Sequence, residues 1–224
     1  MSARYTAART SLRTAAIMLV FSLLFTAAMA FTYQLTRPAI EASELEEKMR
    51  LINEVLPAGS YDNALLEDVV KLGPTPALGL DNGGVAYRAR KAGEPVALVL
   101  EAVAHDGYAG NIDLVLAVTT DGRISGVRVT RHKETPGLGD YIDPKKDRNK
   151  ERPWIGQFAG IAFAQVDPAV WKVKRDGGVF DARTGATISA RAVTNATGRA
   201  LGFAVARRDD LFAAAPGSVL AAEE

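Results

Sequence analysis

The 224-residue sequence has no cysteine and only two histidines, His105 and His132. Without thiols it can build neither a disulfide framework nor a cysteine-ligated iron–sulfur cluster or c-type haem. Two histidines fall short of a zinc site of the usual kind. Neither charge sign predominates: 27 Lys and Arg face 26 Asp and Glu, for a net charge of +1. That balance gives no electrostatic footprint for nucleic acid. Any electron-transfer chemistry in this chain would have to rest on an organic cofactor. Long apolar runs are scarce too, with one clear case near the N-terminus.

That run, residues 15–33, reads A-A-I-M-L-V-F-S-L-L-F-T-A-A-M-A-F-T-Y. Its length approaches the ~20 residues that span a bilayer as a helix. Ser22, Thr26 and Thr32 are tolerable there because their hydroxyls can bond back to helical carbonyls. Arg4, Arg9 and Arg13 precede the run, and Glu41, Glu44, Glu46 and Glu47 follow it. By the positive-inside rule, residues 1–14 stay in the cytoplasm, 15–36 cross the membrane once, and the bulk lies outside. The rival reading is a signal peptide cut after Ala28-Met29-Ala30. The apolar run continues past that site to Tyr33, which favours an anchor.

Pro38 suits the first turn of a new helix, and Leu45, Met49, Ile52 and Leu56 recur at helical spacing until Pro57, Ala58 and Gly59. This predicts a connector helix over 37–59. Residues 63–80 read as irregular, with a short helix near 65–70. Alternation then predicts a strand at 85–90, 96–104 reads as a longer apolar strand, and 112–119 and 124–131 read as two more, with a turn at Gly93-Glu94-Pro95 and a hairpin at Asp121-Gly122. The expected fold is α+β: a twisted antiparallel sheet covered by helices, forming a domain over 60–212. The charge-rich stretch 141–153 reads as a solvated loop, and 154–158 as a short helix. A helix from Ser189 to about Phe212 should pack Val193, Ala196, Ala200, Leu201 and Ala204 on the sheet, although Gly198 and Gly202 weaken it. Residues 213–224 read as a flexible tail.

The chemistry-bearing stretch is Asp181 to Ser189, D-A-R-T-G-A-T-I-S. Two threonines flank Gly185 and Ala186, small residues that let another molecule approach closely. A helix N-terminus beside Thr187 offers free N–H groups suited to a phosphate, with Thr184 bonding locally and Ser189 as N-cap. Read alone, the stretch is better taken as an ordinary helix entry, because T-G-A-T is short and made of common residues. The loop His132 to Gly139, H-K-E-T-P-G-L-G, combines an acceptor at Glu134 and a hydroxyl at Thr135 with a tight turn at Pro136, Gly137 and Gly139, and it offers Leu138 as apolar surface. That mix suits a planar heteroaromatic ring. His132 lacks a companion nucleophile or paired carboxylate, so no catalytic residue is assigned. Gly107 to Ile112, G-Y-A-G-N-I, is a glycine turn in which Tyr108 suits packing.

These three stretches, with the run Trp171 to Phe180, W-K-V-K-R-D-G-G-V-F, resemble in order the FMN-binding RnfG family of Rnf-type ion-translocating electron-transport complexes. Ala182 departs from the family's usual glycine. The resemblance implies FMN joined covalently through a phosphoester to Thr187, with Thr184, Gly185, Ala186 and Ser189 around the linkage. It implies that Glu134, Thr135, Pro136, Gly137, Leu138 and Gly139 contact the flavin, and that Asp181 serves recognition by a flavin transferase drawing on FAD and a divalent metal. The implied role is electron transfer between ferredoxin and NAD-linked carriers, coupled to ion movement, as one component among others in a bacterial inner membrane with its bulk in the periplasm. Such a component is not a stand-alone enzyme. Its alternatives are the related FMN-carrying component of a Na+-translocating NADH:quinone reductase-like (Nqr) complex, an envelope FMN reductase, or an anchored non-redox binding module.

Overall fold

The computed structural model describes residues 2–57 and 59–220. The chain divides into two compact units, Met1–Met49 and Arg50–Glu224.

In the first unit, residues 7–43 form a stretch of helix apolar and long enough to cross a membrane. Its large side chains, among them Leu19, Phe21, Leu24, Phe25 and Phe31, are exposed. Thr32 donates its hydroxyl to the Ala28 carbonyl (2.9 Å), the back-bonding expected of a hydroxyl in an apolar helix. The helix, α1, runs Ser2–Val55 with Pro38 inside it. Pro38 therefore does not open a second helix; it lies inside a continuous one, where it removes a backbone donor and its ring crowds the carbonyl four residues before it. The side chain of Leu45 and residue Ala58, both part of the expected connector and its stop, lie outside the described residues.

In the second unit, six strands form one sheet in the order β5-β4-β3-β2-β1-β6. They are β1 (Val69–Leu72), β2 (Gly84–Lys91), β3 (Glu94–Ala104), β4 (Ile112–Thr119), β5 (Ile124–Arg131) and β6 (Val219–Leu220). The four strands expected between 85 and 131 lie where the sequence put them. A single turn at 65–67, closed by the Glu67 and Asp68 amides on the Ala64 carbonyl, stands where a short helix was expected, and β1 follows it; β6 orders part of the supposed tail, and residues 221–224 of that tail lie outside the described residues. β6 pairs parallel with β1, so the sheet is mixed where a purely antiparallel one was expected. The β2–β3 turn falls at Ala92-Gly93, one residue earlier than predicted, and both have positive φ. A two-residue hairpin loop of this kind matches the strand twist.

Helices α2 (Thr187–Ala206) and α3 (Arg208–Ala213) follow the sheet, split at Arg207 where a single helix was expected. α2 packs on β3 and β4, burying Val193, Ala196, Ala200, Leu201 and Ala204 against Leu98, Leu100, Leu114 and Leu116. Gly198 strengthens this packing: the Trp171 indole occupies the space a Cβ there would need (2.4 Å), and its Nε1 donates to the Thr194 carbonyl at 2.8 Å. On β5, Gly126 admits the Val55 backbone, 2.9 Å from where a Cβ would stand.

One charge is buried near the β1–β2 side of the sheet. Arg88 is 1% exposed. It pairs with Asp68 (Nε to Oδ1, 2.7 Å) and donates to the carbonyls of Leu211 (3.0 Å) and Ala214. Arg90 also bonds Asp68 (3.0 Å) and the Phe212 carbonyl (3.0 Å). Carbonyls at a helix C-terminus lack intrahelical donors, so these guanidinium groups satisfy the end of α3 and hold it to β2.

Candidate functional site

The first turn of α2 begins at Thr187 itself, two residues before the expected Ser189 cap. Ala186 is the N-cap and supplies no side-chain oxygen. The amides of Thr187, Ile188 and Ser189 thus have no intrahelical acceptor. The preceding turn needs Gly185, whose φ is +89°. Tyr141 closes that turn from both ends: its hydroxyl accepts from the Arg183 N–H (3.1 Å) and donates to the Ala186 carbonyl (3.2 Å). Burial pushes the Tyr141 hydroxyl pKa up, which keeps it protonated as a donor.

Ser189 is diverted from capping. Its hydroxyl donates to Glu134 Oε2 at 2.5 Å. Glu134 is 4% exposed, and its Oε1 accepts the Ala109 amide at 3.1 Å. One carboxylate therefore joins the three stretches singled out in the sequence: the turn at 107–112, the loop at 132–139 and the motif at 181–189. Gly139 is required at this junction, because a Cβ there would stand 2.5 Å from Ser189 Oγ and 2.8 Å from Glu134 Oε2. His132 serves the same loop by accepting the Glu134 amide on Nδ1 (3.1 Å).

The remaining loop residues face outward. Thr135, Pro136, Gly137 and Leu138 are exposed, with Leu138 at 56%. The loop closes through the Leu138 and Gly139 amides, both donating to the Thr135 carbonyl at 3.1 Å. Tyr108 is also exposed, at 68%, contrary to the packing role expected for it. Thr184 is exposed and makes no hydrogen bond among the described residues, contrary to the local bond expected. Thr187 is 8% exposed, and its hydroxyl accepts from Arg175 Nη1 at 3.5 Å.

Asp181 is exposed and pairs with Lys174 at 2.6 Å. Its backbone is clamped: the carbonyl accepts from Trp154 Nε1 (2.6 Å), and the amide donates to Gln157 Oε1 (2.8 Å). A cavity of about 640 Å³ opens here, lined by Arg152, Trp154, Gln157, Asp181, Ala182 and Arg183 among others.

The stretch at 141–153 is not simply a solvated loop. Tyr141, Ile142 and Asp147 are buried. Burial alone would raise the Asp147 pKa. The amides of Trp154 (2.7 Å) and Asn149 (2.8 Å), with the Arg183 guanidinium, outweigh it and hold the carboxyl below the usual carboxylate range. Arg183 also lies over the Tyr141 ring, 4.7 Å from its centre. Sequence reasoning missed Tyr141, Asp147 and Arg175 as site residues. The Asp147-x-Asn149 turn pattern is the one local signal; nothing local marks the other two.

These features fit FMN. The uncapped amides and Arg175 suit a phosphate, while exposed Leu138, Tyr108 and Ile188, each adjacent to a residue of the Glu134 junction, suit a flat apolar ring.

Glu134→Ala is expected to lower stability by about 1–3 kcal/mol, since it strands the buried Ser189 hydroxyl and releases the Ala109 amide to water. Chemical denaturation of the full chain in detergent measures it; a loss below about 1 kcal/mol would show that the junction is not held by this carboxylate.

Comparison with known proteins matches residues 107–202 to the FMN-binding domain family and residues 1–55 to the RnfG N-terminal region. The chain is 42% identical over 205 residues to the G subunit of the ion-translocating oxidoreductase complex of Pseudomonas aeruginosa UCBPP-PA14, covering 92% of this chain and 94% of that protein. It is 41% identical over 187 residues to the corresponding G subunit of Shewanella baltica OS223, covering 84% and 86%. The G subunit of Aliivibrio fischeri ES114 is 36% identical over 195 residues, covering 87% and 90%.

Proposed function

This chain belongs to the RnfG family of ion-translocating oxidoreductase complexes, and on that premise we propose that it is a periplasm-facing electron carrier holding FMN covalently at Thr187. The observation that carries this reading is the Glu134 junction, which gathers all three FMN-domain stretches at the uncapped start of α2. Bound FMN exchanges electrons singly or in pairs, so it can link a two-electron donor such as an NAD-linked carrier to one-electron carriers such as ferredoxin.

The chain's own residues position and surround. Tyr141 fixes the turn that presents Thr187, Glu134 fixes the loop to α2, and residues 135–138 would hold the ring. Attachment joins the Thr187 oxygen to the flavin-side phosphorus of FAD. The pyrophosphate P–O bond breaks, AMP leaves, and the hydroxyl proton passes to the flavin transferase. We assign Asp181, which lines the 640 Å³ cavity, to recognition by that enzyme. One apolar helix carries no embedded ion path, so coupling to ion movement belongs to the other components of the complex. The test is the intact mass of the full chain co-expressed with a flavin transferase, where one FMN less one water should be added. No added mass would overturn covalent attachment.

The arginines before the anchor set the orientation. A reporter active only outside the cytoplasm, fused to the C-terminus, should be active; activity from a cytoplasm-only reporter instead would reverse the topology.

A further inference from the structure

Lys174, Arg175, Arg183 and Arg191 lie in or beside the motif, and three of them are neutralised in the fold. Lys174 pairs with Asp181 at 2.6 Å, Arg183 with Asp147, and Arg191 with Asp176 at 2.5 and 2.8 Å. Arg175 is different. Among the described residues it has no carboxylate partner within 4.0 Å, and the one group its guanidinium reaches is the Thr187 hydroxyl, at the outer limit of a hydrogen bond. A guanidinium has five donors in a rigid fork suited to an oxyanion, and a neutral hydroxyl uses one of them poorly.

Nor is Arg175 on a loose loop. Residues 174–176 form one tight turn closed by Gly177, whose φ is +82° and whose amide donates to the Lys174 carbonyl (3.1 Å). The Lys174 amide donates to the Phe180 carbonyl (2.7 Å), and both Val173 and Phe180 are buried. Gly178 lies so close to Lys172 that a Cβ would meet its carbonyl oxygen at 1.9 Å. Trp171, just upstream, is bonded to α2 through Thr194. The turn is thereby fixed to the helix that carries Thr187.

We propose that Arg175 is the charge partner of the phosphodiester that joins FMN to Thr187. This rests on the Thr187 assignment above. Esterification replaces a neutral hydroxyl with a group bearing one negative charge and two non-bridging oxygens, at the position Arg175 already faces. Arg175 then acts as a positioning residue. It neutralises the linkage, favours its formation, and fixes the direction in which the ribityl chain leaves the helix.

The test uses the full chain co-expressed with a flavin transferase, comparing the unsubstituted protein with Arg175→Ala and Arg175→Lys. Phosphorus NMR of the folded, flavin-bearing protein reads the linkage directly. In Arg175→Ala the phosphodiester resonance should move toward its position in the urea-denatured protein. The rate of flavin attachment, followed by intact mass, should fall about fivefold, as expected for a charged hydrogen bond discounted for its exposure. Arg175→Lys should recover most of the rate but not the resonance position, because an ammonium supplies charge without the bidentate fork. A merely structural role would not move the resonance in a protein whose near-UV circular dichroism is unchanged. If the unsubstituted chain carries flavin at Thr187, and Arg175→Ala matches it in both resonance and rate, the Arg175 proposal alone falls. If flavin is absent or maps elsewhere, the Thr187 assignment falls and takes Arg175 with it.

Discussion

Thr187→Ala is expected to abolish covalent flavin altogether while leaving the domain folded. Three hydroxyls crowd the motif, and the structure separates their circumstances. Ser189 is committed to Glu134 at 2.5 Å, inside the protein. Thr184 is exposed and unbonded among the described residues, which makes it the more accessible oxygen. Thr187 stands at the first position of α2, beside amides without intrahelical acceptors and within reach of Arg175. Accessibility favours Thr184; stabilisation of the product favours Thr187. A phosphodiester is an anion, and its environment decides where it is held, so product stabilisation is the stronger consideration. Alanine at a helix start retains good helix propensity and removes only a weak contact, so the stability change should stay within about 1 kcal/mol. Thr187→Ser keeps the oxygen and should keep part of the attachment. Thr184→Ala should retain flavin. The readout is flavin fluorescence of the band in a denaturing gel, with peptide mapping. A fluorescent Thr187→Ala band, or a flavin peptide assigned to Thr184, would overturn the assignment.

Arg88→Ala should produce the largest loss of stability among single substitutions outside the apolar core. The guanidinium is buried and serves Asp68 together with carbonyls at the end of α3 and just beyond it. Removing one partner of a buried pair costs about 3–5 kcal/mol, because the other is left uncompensated. Arg90 retains one bond to Asp68 and one to the Phe212 carbonyl, which places the expected cost near the lower end, about 3 kcal/mol. Arg88→Met, which keeps the apolar stem but no donor, should lose nearly as much. Equilibrium denaturation in detergent measures both. If Arg88→Met proved as stable as the unsubstituted chain, the side chain's contribution would be packing and not its hydrogen bonds. The effect bears on the C-terminus as well, since α3 leads into β6, and β6 is held by its pairing with β1.

Strands β2 to β5 were legible in the sequence as short apolar runs bounded by turn residues, with alternation clear in β2 and near-continuous burial in β3 and β4. The long apolar N-terminal helix was legible from the length and composition of its run alone. The apolar face of α2 was legible from its 3.6-residue period, and the FMN-binding character from four short stretches in order. What the sequence could not carry were the features defined by partners distant along the chain. β1 and β6 have four and two residues, too few for a periodic signal; they are strands because each offers the other backbone bonds from far along the chain, Lys71 beside Val219. Pro38 reads as a helix start, yet a continuous helix tolerates the loss of one donor. Gly198 reads as a weak point in a helix until Trp171 fills its place. In the sequence Ser189 reads as a cap, Asp147 as part of a solvated loop, Glu134 as an acceptor facing the flavin, and Arg88 as one residue of a strand. Their burial became possible only when the fold delivered a hydrogen-bond partner to each, because an unpaired polar group cannot remain inside. Local periodicity therefore determined which faces are buried, and tertiary structure alone decided which polar atoms meet there, including the carboxylate that assembles the site.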